Sequence, residues 1–220
     1  FLGSVLIEGK VPQRGEVVTY TLLGELDTIF VRRILALAGE AVLFLGAGAI
    51  RSAKTSAGTF LPSGQELADA LASDCGLGKG YSLESISQHF IKARSETALI
   101  NALRRHFTVA SVSKDLLALA KVPWIRAWTT NYDDAFEKAL AIEDITHKSL
   151  TTADETRLVQ ERTLLVVHIN GILGRLTNTL TQDFVLTSQS YATQVFTTSD
   201  WSTVLRHDLQ RAKVLLFVGY

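Results

Sequence analysis

The sequence has little cysteine, no methionine and no excess of charge. One cysteine, Cys75, stands among 220 residues, so the chain can form no internal disulfide and no cysteine-rich zinc site. The 22 basic and 22 acidic side chains cancel, which argues against a nucleic-acid binder that acts by neutralising phosphates. No apolar run approaches the roughly 18 residues of a membrane helix, and the first residues lack a signal peptide's features.

What the chain does have is enough apolar material for a core. It is 47% hydrophobic and 20% charged, which excludes a disordered protein. It starts at Phe1 without a methionine and stops at Tyr220, just after a strand-like run. We expect both ends to be cut and the chain to be part of a longer protein.

The order of apolar runs predicts an α/β fold. Residues 1–25 combine short apolar runs with Gly and Pro and predict an N-terminal appendage, a small hairpin. Residues 26–220 predict one domain in which strands alternate with helices, the pattern of a mostly parallel sheet. Strands are predicted at 41–45, 124–128, 164–169, 184–187 and 214–218, and helices at 26–37, from Ser63 onward, 95–107, 114–120, 134–140 and 201–211.

The first segment with chemical meaning, residues 45–49, reads Leu-Gly-Ala-Gly-Ala and follows the first buried strand. Glycines at a strand end allow the backbone to approach a phosphate and to turn N–H groups toward it. The third glycine of a dinucleotide-binding fingerprint would fall at Arg51, so that fingerprint is incomplete. The alternative interpretation is a tight turn without a ligand.

The second segment, residues 128–134, reads Trp-Thr-Thr-Asn-Tyr-Asp-Asp between a predicted strand and a predicted helix. It therefore lies at the carboxyl edge of the sheet, where open α/β sheets bind ligands. Alternatively, Asp133 or Asp134 only caps the following helix. Capping does not explain Asn131 beside two threonines.

The third segment, residues 166–171, reads Val-Val-His-Ile-Asn-Gly. Side chains alternate along a strand, so His168 and Asn170 share one face, and we expect both to face the same cleft. The alternative is a structural histidine followed by an Asn-Gly turn.

Together these segments, with Phe217-Val218-Gly219-Tyr220, resemble the sirtuin-like NAD-binding domain over roughly residues 30–220. More narrowly, they are similar to the bacterial zinc-less sirtuin-like domains of anti-phage defence proteins. The resemblance implies a Rossmann-like, mostly parallel sheet flanked by helices, with a small helical insertion and no zinc module. It assigns NAD binding to Gly46, Ala47, Gly48, Ala49, Pro62, Thr129, Asp133 and Gly219.

The sequence also departs from that family in several places. Thr130 and Tyr132 replace the Gln and Ile of the family's Thr-Gln-Asn-Ile-Asp segment, and one cysteine cannot supply a four-cysteine zinc module. The family's catalytic His directly precedes a Gly, a place that Asn170 occupies here. We favour His168 as the functional residue because it shares a face with Asn170.

The resemblance implies hydrolysis of NAD to nicotinamide and ADP-ribose without a metal. Asn131 would position the ribose and a water, Asp133 would bind the carboxamide, and His168 or Asn170 would complete the catalytic set, with His168 as general base. The implied setting is a bacterial cytoplasm and a homo-oligomer or larger defence complex, triggered by a phage protein, with no membrane or direct nucleic-acid binding. The alternatives are an NAD or ADP-ribose sensing domain without turnover and, least favoured, a protein deacylase.

Overall fold

The structure, a computed structural model, describes residues 39–157, 163–187, 196 and 199–220. The predicted hairpin at 1–25 and the predicted helix at 26–37 lie outside the described residues. The described strands are β1 (Ala41–Leu45), β2 (Lys54–Thr55), β3 (Val109–Ser111), β4 (Arg126–Thr129), β5 (His147–Thr151), β6 (Leu164–His168) and β7 (Val214–Val218). The described helices are α1 (Gly64–Asp74), α2 (Leu83–Ala93), α3 (Glu96–Phe107), α4 (Lys114–Ala120), α5 (Ala135–Ile142) and α6 (Asp200–Arg211).

Five of these strands form one parallel sheet in the order β5-β6-β4-β1-β7. The helices cover both faces, as the apolar strands require, because every side chain of β1 is buried. One face packs against Leu67, Leu99 and Phe136 from α1, α3 and α5. The other packs against Trp201 of α6. The fold is the α/β, Rossmann-like arrangement that the sequence predicts.

The residues between β1 and β4 form the helical insertion. It holds α1 to α4 and the small antiparallel pair β2 and β3. Each of its helices begins after a serine whose side chain accepts a hydrogen bond from the backbone three residues on: Ser63, Ser82, Ser95 and Ser113. At Ser63 the predicted capping box is complete, because Glu66 bonds back to the Ser63 backbone.

One predicted strand is wrong. Residues 184–187 form a loop and join no sheet in the described part of the chain. Their polar groups pair with loops instead: the Val185 N–H donates to Asn170 O at 3.0 Å, and the Tyr132 hydroxyl donates to Val185 O at 2.7 Å. The apolar run reflects a buried loop, since Phe184 is only 1% exposed.

The sequence reading missed four elements, α2, β2, β3 and β5. β5 (His147–Thr151) lies at one edge of the sheet, and its first three residues are only partly buried, so it lacks a strong apolar run. α2 carries Leu83, Ile86 and Phe90 at helical spacing after the Ser82 cap, so its signal was present in the sequence and was overlooked. β2 and β3, at two and three residues, are too short to carry a sequence period.

A buried ion pair ties the sheet to α6. Arg126 Nε donates to Asp208 Oδ2 at 2.6 Å, and Trp128 Nε1 donates to the same oxygen at 3.0 Å. Arg126 and Trp128 are two residues apart on β4 and therefore point to the same face. The two donors satisfy a carboxylate that is otherwise costly to bury.

Candidate functional site

The parallel register brings four strand ends that carry the sequence motifs to one line. Leu45 at the end of β1 is paired with Thr129 of β4 and with Val218 of β7. Thr129 is paired in turn with His168 of β6, and His168 with Thr151 of β5. The segments that follow these strands therefore emerge side by side at the carboxyl edge, as the sequence predicts.

The glycine loop after β1 packs directly against the residue that follows β7. A Cβ on Gly46 would lie 2.6 Å from Gly219 O, and a Cβ on Gly219 would lie 2.0 Å from Ala49 N. Gly219 also has a positive φ of 80°. Glycine is therefore required here so that two backbone segments can meet, whether or not a ligand is bound.

Most N–H groups of this loop are already bonded inside the protein. Gly46 N–H donates to Val218 O at 2.8 Å, Gly48 N–H to Gly219 O at 2.9 Å, and Ala49 N–H to Gly46 O at 3.0 Å. Ala47 and Gly48 are exposed at the tip of the turn. The Ala47 N–H has no hydrogen-bond partner among the described residues, which leaves it as the loop donor open to a ligand.

Asn131 joins the second motif to this loop. Its side-chain Nδ2 donates to Gly46 O at 3.1 Å, and its backbone N–H donates to Thr129 Oγ1 at 3.0 Å. The Thr129 hydroxyl in turn donates to Leu45 O at 3.0 Å. Asn131 is 8% exposed, and its Oδ1 bonds to nothing in the described part of the chain. A fixed amide with a free acceptor is suited to orient a hydroxyl group or a water.

Asp133 combines a capping role with an unpartnered oxygen. Its Oδ1 accepts from the N–H of Ala135, the first residue of α5, at 3.0 Å, whereas the N-cap residue Asp134 makes no side-chain cap bond. Its Oδ2 is buried and has no partner among the described residues. Burial, with a contribution from Glu137, raises the pKa of Asp133 to about 6, against the bond to Ala135 and the charge of His168. A buried carboxylate oxygen without a donor fits the N–H₂ group of a carboxamide.

His168 lies on the predicted sheet face, but the expectation that it faces an open cleft is wrong. The residue is 0% exposed. Its Nδ1 lies 2.9 Å from Asn131 O and its Nε2 lies 2.7 Å from Glu137 Oε1. The ring is thus packed behind Asn131, because the strand turns its side chain toward α5.

Asn170 follows β6 at the sheet edge and is half-buried, with Nδ2 donating to Thr130 O at 3.2 Å. It precedes Gly171, which has a positive φ of 84° and lies against the backbone of Asp183 and Phe184. Pro62 is half-exposed and lies directly before the Ser63 cap of α1.

The sequence reading missed Glu137 and Ser149. Glu137 sits on the buried side of α5 beside Phe136 and Ala139, and is 7% exposed. A carboxylate on an apolar helix face is a usable signal, but the neighbouring Lys138 makes the pair look like an ordinary solvated turn. Ser149 donates to Glu137 Oε1 at 2.8 Å from the unpredicted strand β5.

The comparison with protein families gives a match to the second part of the chain. Residues 126–220 match the family model of the SIR2-like domain, from the start of β4 to the residues after β7. This part of the chain is therefore similar to sirtuin-like domains, a family that consists in general of NAD-dependent enzymes. A search of the curated proteins finds no match.

Two further observations concern what the described residues lack. They contain no group of three or more His, Cys, Asp or Glu side chains arranged to hold a metal ion. None of their helices combines the length and apolar character needed to cross a membrane.

The contact between Gly219 and the glycine loop predicts a large loss of stability for Gly219→Ala. A methyl group at Gly58, where φ is 78° and nothing lies within 4 Å, isolates the backbone strain alone, which costs about 1–2 kcal/mol. Gly219→Ala adds a backbone clash and should cost about 2 kcal/mol more. Urea unfolding of the two variants measures the difference, and equal losses would contradict the close contact.

The raised pKa of Asp133 predicts a pH-dependent gain in stability for Asp133→Asn. The folded protein holds this proton more tightly than the unfolded chain, whose value is 3.8, so the ionised form destabilises the fold above pH 6 and this penalty disappears toward pH 4. Removing the charge relieves about 3 kcal/mol at pH 7.5 and about half as much at pH 5, less a constant loss for the unpaired amide.

Thermal unfolding at the two pH values measures this effect. The adjacent Asp134→Asn is the matched control, because the Asp134 side chain is 46% exposed and pairs with Lys138 at the surface. An Asp133→Asn gain that does not shrink between pH 7.5 and pH 5 would count against a buried, proton-binding carboxyl.

Proposed function

We propose that this domain binds NAD⁺ and hydrolyses its nicotinamide–ribose bond, giving nicotinamide and ADP-ribose. The observation that carries the proposal is the hydrogen bond from Asn131 Nδ2 to Gly46 O, 3.1 Å long. It joins the loop proposed for the phosphates to the segment proposed for the nicotinamide and ribose. Residues 85 positions apart in the chain thus contribute to one site.

Cleavage of the nicotinamide–ribose bond requires little proton transfer by the protein. Nicotinamide leaves as a neutral molecule from a cationic pyridinium, so the bond can break with oxocarbenium character at the ribose and without a general acid. The tasks left to the protein are to hold the ends of the substrate and to place a water below the ribose. Water then adds to the ribose carbon and loses a proton, which completes ADP-ribose.

The described side chains support these tasks. The free Oδ1 of Asn131 is suited to bond a ribose hydroxyl or the attacking water. The unpartnered Oδ2 of Asp133 is suited to accept from the carboxamide. Exposed Ala47 and Gly48 form the tip of the loop that would meet the pyrophosphate. Pro62 and Gly219 remain proposed NAD-binding residues.

The proposed setting is a bacterial cytoplasm in which NAD depletion is toxic and stops phage growth. Such an activity must be restrained until needed, so we propose that the domain acts within a homo-oligomer or a larger defence complex. A phage protein is the proposed trigger. This part of the proposal rests on the resemblance to anti-phage domains and on no contact within the chain.

The first test compares Asn131→Ala with Asn101→Ala in an assay of nicotinamide release from NAD⁺. Asn101 is exposed on α3 and remote from the sheet edge, so its variant serves as a matched control. Loss of one fixed polar group at the reacting centre should lower release by about 100-fold, while Asn101→Ala leaves it unchanged. Equal nicotinamide release by the wild-type protein and Asn131→Ala would refute the proposal.

A second candidate function is an NAD or ADP-ribose sensor without turnover. The observation that favours it is that the β6 end presents Asn170, which cannot accept a proton at neutral pH, while the His168 ring is buried. Calorimetry that shows NAD binding, together with no nicotinamide after long incubation of the full assembly, would support this function over hydrolysis.

Asn170→His tests both functions at the place where the family carries its catalytic His. An imidazole at the sheet edge supplies the missing proton acceptor, and general-base assistance adds about 100-fold at the low end of its usual range. We expect nicotinamide release to rise by that order in a hydrolase and to appear in a sensor. No change in a folded variant that still binds NAD would show that residue 170 does not face the reacting centre.

A further inference from the structure

The two ring nitrogens of His168 are both engaged, and this determines what the ring can do. Nδ1 lies 2.9 Å from the backbone oxygen of Asn131, and Nε2 lies 2.7 Å from Glu137 Oε1. A carbonyl oxygen can only accept, so Nδ1 must carry a hydrogen. No lone pair on that side of the ring is left for a substrate.

The second nitrogen faces a carboxylate that is set up to accept. Glu137 Oε1 also receives the Ser149 hydroxyl at 2.8 Å, and both Glu137 and His168 are buried. Burial alone raises the pKa of Glu137, but the His168 charge and the bonds from His168 and Ser149 outweigh it and lower the pKa. The ionised carboxylate then takes a hydrogen from Nε2 as well.

The same balance operates on the imidazole. Burial alone lowers the pKa of His168, but the Glu137 charge and hydrogen bond, the Asn131 carbonyl and the Asp133 charge outweigh it and raise the pKa. Glu137 reaches the ring from α5 and Asp133 from the turn before α5, while β5 contributes the uncharged Ser149. With an acceptor facing each ring nitrogen, this balance favours the imidazolium form of the buried ring.

We propose that His168 and Glu137 are positioning residues that hold the Asn131 main chain as a buried imidazolium–carboxylate pair, and that His168 is not the proton acceptor of the reaction. The geometry completes the support of Asn131. Its N–H is held by Thr129, its side chain by Gly46 and its carbonyl by His168. Fixing the carbonyl fixes the backbone from which the Asn131 amide projects. The catalytic part of this inference rests on the proposed function; the charge state of the pair does not.

Nitrogen NMR of the imidazoles tests the charge state without any substrate. His168 is assigned by its loss from the spectrum of His168→Asn, and both ring nitrogens are expected to stay protonated from pH 6 to pH 8.5. In Glu137→Gln the ring should become neutral at pH 8 and keep its hydrogen on Nδ1. A wild-type ring that is neutral at pH 7.5 would overturn the proposal.

Rescue by a conservative pair separates positioning from proton transfer. Two double variants make this comparison: His168→Asn and His168→Ala, each combined with Glu137→Gln. In both, Glu137→Gln removes the charge that would otherwise be left unpaired. His168→Asn keeps an N–H donor near the Asn131 carbonyl, whereas His168→Ala removes it. We expect the double variant with Asn to keep kcat within about threefold of the wild-type value. The double variant with Ala should lose about tenfold or more in kcat.

The outcomes decide the proposal directly. Equal loss of kcat in both double variants would assign His168 to proton transfer and overturn it. Trp201→Phe, which removes a buried bond to Asp154 O on the opposite sheet face, controls for general loss of stability. Wild-type protein that releases no nicotinamide in its full assembly with the trigger present refutes the proposed hydrolase, and the NMR result then decides the charge state alone.

Discussion

The parallel register of five strands is the constraint on which the site depends. It sets Val218, Leu45, Thr129, His168 and Thr151 side by side, so the segments that follow four of them converge on one edge. A shift of one residue between β1 and β4 would turn Thr129 to the other face and break its bond to Leu45 O. Burial of the strands on both faces resists such a shift, so the core specifies the position of the polar residues.

Two buried charged pairs, one on each face, link the sheet to its helices. Arg126 and Asp208 connect β4 to α6, and His168 and Glu137 connect β6 to α5. Each pair has an added donor, Trp128 in the first and Ser149 in the second. Such pairs contribute little net stability, but removing one partner leaves an isolated buried charge. They are best understood as devices that fix where a helix sits on the sheet.

Much of the fold was predictable because apolar periodicity determines it. The predicted bounds agree closely with the structure for β1, β6, β7 and α4, and the capping box at Ser63 marks the start of α1. The strand predicted at residues 184–187 is wrong because a buried loop and a buried strand produce the same apolar run. β5 was not predicted because an edge strand with partly buried residues has no such apolar run.

The site was predictable as a set of segments but not as a set of contacts. Asn131, Asp133 and the glycines lie where strand ends place them. The burial of His168 was not predictable, because alternation gives the face of a side chain and not its depth. Its partner Glu137 lies on another element, and the adjacent Lys138 makes the two charged residues look like an ordinary solvated turn. Local pattern carries no information about such a pairing.

The meeting of Gly48 with Gly219 has a consequence for the order of synthesis. The glycine loop is made early, yet two of its backbone hydrogen bonds reach Val218 and Gly219, which are translated some 170 residues later. Until β7 pairs with β1, the glycine loop lacks these two hydrogen bonds, and the Asn131 amide donates to a loop that is not yet held in place. The nascent domain therefore lacks a finished site during most of its synthesis, and the glycine loop can complete its hydrogen bonds only when the chain has been made through Gly219.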